Sequence, residues 1–67
     1  MSRSQELHTL HARVEHETDN AILIDYDDAL EPVWIPLSQV EKIVRIKPAP
    51  WVQITMSAWI AKQKGII

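Results

Sequence analysis

The side chains able to do chemistry are few, and they fall into small groups. The histidines are His8, His11 and His16. In an extended strand successive side chains alternate, so His8 and His16 face one way and His11 the other. That splits any three-ligand metal site, and a helix that joined His8 to His11 would still lack an ordered fourth ligand. They read as rim or solvent-facing histidines. The carboxylates Asp25, Asp27, Asp28 and Glu31 begin like a calcium loop but lack its turn glycine and its closing bidentate glutamate. No adjacent His or Lys is there to drive their pKa values apart for general acid–base work. Ser38 has neither nucleophile-elbow glycines nor a base, so its expected role is to cap the turn after Pro36. One glycine leaves no phosphate loop, and the absence of cysteine removes disulfides, thiolate zinc sites and thiol nucleophiles together. The expectation is no catalytic residue, no metal, no cofactor and no enzymatic activity.

Binding chemistry is better represented. The net charge is only −2, yet the charges are segregated along the chain. Residues 14–41 carry eight acids (Glu15, Glu17, Asp19, Asp25, Asp27, Asp28, Glu31, Glu41) and no Lys or Arg. From Lys42 onward there are five cations (Lys42, Arg45, Lys47, Lys62, Lys64) and no acid. Lys42, Arg45 and Lys47 with Trp51 are the residues a small barrel would use to bind nucleic acid, but the acidic balance of the whole chain opposes phosphate at long range. Conversely, the acidic half suits docking on a partner's basic groove. Trp34, bracketed by Pro32 and Pro36, is a candidate hot spot for a protein partner. The candidate partner-binding residues are therefore Trp34, Tyr26, Asp25, Asp27, Asp28 and Glu31.

These groups must be positioned by strands. Leu10, Ala12 and Val14 alternate with His11, Arg13 and Glu15, the period of a half-buried strand, although Leu7, Leu10 and Val14 also fit a helical spacing. Thr18, Asp19 and Asn20 form a turn, and residues 21–24 (Ala, Ile, Leu, Ile) read as a strand buried on both faces or central in the sheet. An acidic connection leads to a short strand of Val33, Trp34 and Ile35, closed by Pro36. A single turn at residues 37–40, a strand over 41–47, an elbow at Pro48, Ala49 and Pro50, and a strand over 51–55 follow. Met56, Trp59, Ile60 and Gln63 then lie on one helical stripe, which makes Trp59 a core residue. Thr55 or Ser57 is placed to cap this helix over 57–64, and Gly65 to stop it. The fold class is mainly β: a four- to five-stranded antiparallel sheet, or an open barrel of the Src-homology-3-like kind, with one short C-terminal helix.

Sixty-seven residues make one small domain, 1–67, with residues 1–6 expected to fray. A chain of this size buries only about 60% of its unfolded surface, so aliphatics and three Trp must supply the core. A homodimer is the remaining means of stabilisation, with the basic half of one copy against segment 15–31 of another. The longest apolar run is four residues, far short of the ~20 that span a bilayer. No apolar core follows Arg3, so no secretory signal is expected and a cytoplasmic address is.

Two stretches carry a resemblance. Val33, Trp34, Ile35, Pro36, Leu37, Ser38, Gln39 and Val40 resemble a Trp-aliphatic-Pro-x-Ser-Gln-aliphatic signature of very small uncharacterised proteins encoded by bacteriophages and prophages. The segment from Ile54 through Trp59 to Lys64, Gly65, Ile66 and Ile67 is similar to their C-terminal Trp-containing helix. Together they cover about a third of the chain. Ser57 and Ala58 stand where that group has proline and an acidic residue. The resemblance implies a phage or prophage origin and with it the cytoplasm of a bacterial host. Taken with the Trp-rich core and the lack of catalytic groups, it leads to the expectation of docking on a host protein, such as a component of a defence or nucleic-acid machine. It carries no catalytic residues. The alternatives are nucleic-acid binding through the basic half and a small-molecule site at an oligomer interface.

Overall fold

A computed structural model describes residues 6–27 and 29–67. Five strands, β1 (Leu7–Glu17), β2 (Ala21–Asp25), β3 (Val33–Pro36), β4 (Val40–Arg45) and β5 (Trp51–Ser57), are followed by one helix, α1 (Ala58–Gln63). They form a single antiparallel sheet in the order β3-β2-β1-β5-β4. The strands are thus hairpin neighbours in sequence, except where β1 meets β5. β1 serves two partners in turn: residues 7–13 pair with β5, and residues 13–17 pair with β2.

β3 and β4 lie at opposite edges of this sheet, yet only a 3-10 turn, Leu37–Gln39, separates them. Four inter-strand spacings of about 4.8 Å would place the edges ~19 Å apart if the sheet were flat. Three residues rising about 2 Å each cannot span that. The sheet must curl until its edges approach, which gives a small, barrel-like β-fold. Leu37 N–H donates to the Asn20 carbonyl at 2.8 Å and ties the turn to the first hairpin.

The core comes from alternate positions: Ala12 of β1, Ile22 and Ile24 of β2, Ile35 of β3, Val52, Ile54 and Met56 of β5, and Ile60 and Ala61 of α1. β2 buries Ile22 and Ile24 completely and leaves Ala21 and Leu23 half-exposed, so one of its faces is core. At the first turn, Thr18 Oγ1 accepts from the N–H groups of Asn20 and Ala21 at 3.3 and 3.0 Å.

The helix departs from the stripe expected of it. Met56 is not helical; it is the last inward residue of β5 and is fully buried. The helix therefore starts at Ala58, has six residues, and docks through Ile60 and Ala61. Trp59 is rotated outward and is 60% exposed, so it is not a core residue. Ser57 is the cap: its Oγ accepts from Ile60 N–H at 3.2 Å and donates to Gln39 Oε1 at 2.8 Å. Thr55 instead bonds the Thr9 hydroxyl at 2.8 Å. Ser38 caps nothing; the 3-10 turn has no side-chain cap. At the C-terminus, Ile66 N–H reaches the Ala61 carbonyl and Gly65 N–H the Lys62 carbonyl, with Gly65 at φ 76°. These two bonds form a Schellman motif, and Ile66 packs back on the core. Glu6 is held through its carbonyl, which accepts from Ala58 N–H at 2.9 Å; the rest of the segment expected to fray lies outside the described residues. Among the described residues no helix is long and apolar enough to cross a membrane.

Candidate functional site

A β-bulge between Val14 and His16 reverses the alternation in the last part of β1. Val14 stands opposite the buried Ile24, but His16 stands opposite the half-exposed Leu23. His16 therefore shares the outer face with Trp34, edge to face at 6.0 Å between ring centroids, and does not share a face with His8. Trp34 is 42% exposed and pairs with Leu23 across β2 and β3. Trp34, Leu23 and His16 make one outer patch, apart from the other candidates.

The second surface is built where β2 stops. Arg13 is the pivot of the sheet, opposite Asp25 on one side and Trp51 on the other. Its guanidinium contacts Glu15 at 2.7 Å and Asp25 at 3.5 Å. Past Asp25 the chain turns, with Ala29 N–H donating to the Tyr26 carbonyl at 2.9 Å. Tyr26 is half-buried against the core and shared by three adjoining depressions. One, of about 340 Å³, is lined by Arg13, Asp25, Tyr26, Asp27 and Trp51. Another, of about 500 Å³, continues from Tyr26, Asp27 and Trp51 to His8, Leu10 and His11. The third, of about 320 Å³, joins Tyr26 to Leu30, Glu31, Val33 and Lys64.

Four of the candidate partner-binding residues, Asp25, Tyr26, Asp27 and Glu31, thus come together around one aromatic ring, while Trp34 lies on the outer patch and Asp28 falls outside the described residues. Neither Asp27 nor Glu31 forms an ion pair among the described residues. The nucleic-acid candidates Arg45, Lys47 and Trp51 lie at the turn end of the β4–β5 hairpin, where Ile46 N–H donates to the Trp51 carbonyl, and Lys42 lies further along β4 opposite Thr55. Trp51 lines the depression that holds Asp25 and Asp27. Arg45 is held by Glu17 at 3.3 Å, and Lys42 and Lys47 are exposed on β4 and the following turn. That bridge links the two charge halves of the sequence. No cluster of three or more His, Asp or Glu suited to a metal ion occurs among the described residues.

Sequence reasoning passed over Arg13, His8 and His11 as parts of this surface. They belong to it through the register of β1 with β2 and β5, a relation between residues far apart in the chain. No family model, curated protein or solved structure matches the chain.

Proposed function

We propose that this chain is a non-enzymatic protein-interaction module of phage or prophage type, and that it docks on a host protein through the surface around Tyr26. The observation that carries this reading is the convergence of Tyr26, Trp51, Asp25, Asp27 and Glu31 on adjoining depressions. A half-buried, rigid aromatic ringed by charged groups has the character of an interface hot spot, because it offers large apolar area at little conformational cost. Asp27 and Glu31, which form no ion pair among the described residues, favour a basic partner surface and would steer its approach. The phage or prophage origin rests on the residue signatures around Trp34 and Trp59.

Quantitative capture from bacterial lysate tests this. The immobilised wild-type chain should retain one protein in stoichiometric amount, and Tyr26→Ala should lose it while remaining folded. Retention of nothing, or equal retention by Tyr26→Ala, would overturn the reading. A salt-sensitive shift of DNA or RNA by the purified chain would assign the surface to nucleic acid instead.

A further inference from the structure

Three strand edges of this sheet face away from their partners, and they are not alike. The hydrogen-bond parity is fixed by bonds at the strand ends. Val14 N–H donates to the Pro50 carbonyl, and Ala58 N–H to the Glu6 carbonyl. Even-numbered residues of β1 therefore point their backbone groups at β5 over residues 6–14. Leu7, Thr9 and His11 point theirs the other way, as alternation in an antiparallel ladder requires. On that side β2 has already ended, since Arg13 is the first residue of β1 opposite it. Among the described residues, the N–H and C=O groups of Leu7, Thr9 and His11 have no backbone partner there.

Natural sheets guard such edges with proline, charge or bulges. β3 runs between Pro32 and Pro36, so Trp34 has the one outward N–H left in that strand. β4 carries Glu41, Lys42 and Arg45 and a register shift between Val40 and Lys42. Residues 7–12 (Leu, His, Thr, Leu, His, Ala) have no proline, no formal charge and no bulge. This edge is built to be paired. Beside it lies the groove of about 500 Å³, whose lining joins His8 and Leu10 to Tyr26, Asp27 and Ile66.

We infer that residues 7–12 accept a single extended segment of a protein partner as an added antiparallel or parallel strand, with a Lys or Arg of that segment set against Asp27, Tyr26 and Trp51. The inference rests on the docking reading above and names the chemistry of its partner. Three outward N–H and C=O pairs call for extended backbone rather than a helix. Asp27, which forms no ion pair among the described residues and lines the groove together with Tyr26 and Trp51, calls for a cation. A second copy of β1 fits less well. Its residues 7–12 hold no Lys or Arg to set against Asp27.

Amide hydrogen exchange on the full chain decides this, with a capped Lys-Val-Lys-Val-Lys-Val peptide as the probe. In the free, dilute protein, the amides of Thr9 and His11 should exchange fast and those of Leu10 and Ala12 slowly. Saturating peptide should slow Thr9 and His11 at least about tenfold, and a peptide N-methylated at alternate residues should not. Asp27→Asn should weaken the peptide about two- to fivefold, as for loss of an exposed ion pair. Thr9→Pro, which removes an outward N–H and spares the β5 ladder, should abolish binding; if it fails to fold, the N-methylated peptide serves in its place. Protection already present in the dilute chain would overturn the inference, as would protection that grows with protein concentration alone, which would assign the edge to a second copy. Absence of binding at millimolar peptide would overturn it too. Binding without protection of Thr9 and His11 would overturn strand addition and leave docking at Tyr26 standing.

Discussion

Ile60 and Trp59 are adjacent on α1, yet truncating them should have opposite consequences. Ile60 is 5% exposed and packs in the core, whereas Trp59 is 60% exposed. Replacing a buried Ile by Ala costs about 2–5 kcal/mol, through lost transfer energy and the cavity left behind. A core in so small a domain supplies roughly 3–5 kcal/mol in total. Ile60→Ala should therefore leave the chain at or near its unfolding midpoint at 25 °C. The milder Ile60→Val should cost about 0.5–1.5 kcal/mol. At about 4–8 °C per kcal/mol for a domain of this size, its Tm should fall by several degrees. Trp59→Ala removes mostly exposed surface and introduces the best helix former, so its stability should stay within about 0.5 kcal/mol of wild type. Urea unfolding followed by far-ultraviolet circular dichroism measures all three. A Trp59→Ala variant less stable than Ile60→Ala would refute the docking geometry of α1, and with it the assignment of Met56 to β5.

Other expectations follow from single contacts. Ser57→Ala removes the cap on Ile60 N–H and the bond to Gln39, and should cost about 0.5–2 kcal/mol in urea unfolding. Gly65→Ala meets no atom within 4 Å, but the φ of +76° should cost about 1–2 kcal/mol, read as a drop in Tm. Arg45→Ala breaks the bridge to Glu17, whose partners are both largely exposed; the loss should stay below about 1 kcal/mol and vanish in high salt. Sedimentation at low and high salt should find the same species in both. A dimer that dissociates as salt rises would instead place the two charge halves in contact between copies.

Much of the fold was legible because its signals are local. The alternation through Leu10, Ala12 and Val14, the Thr18 turn, the prolines around Trp34 and the Gly65 stop each act over a few residues. What was not legible depends on a phase or a register. Trp59 and Ile60 both fit the helical stripe, and only the end of β5, which keeps Met56 extended, decides which of them faces in. His16 follows the period of His8 until the bulge after Val14 reverses it. The meeting of Trp51 with Asp25 and Asp27 comes from Arg13 pairing with both β2 and β5. Pairing between distant segments leaves no mark in either segment alone, so the site around Tyr26 was visible as a set of acids and one Tyr but not as a surface.

The most direct test of the central claim is the affinity of the captured host protein, once purified, for wild-type chain, Tyr26→Ala and Lys42→Ala, measured by titration calorimetry. Tyr26→Ala should weaken binding by about thirtyfold or more, the loss of a hot spot worth at least about 2 kcal/mol, while Lys42→Ala, outside the depressions around Tyr26, should bind as wild type does. Equal binding by wild type and Tyr26→Ala, or a large loss confined to Lys42→Ala, would contradict the account.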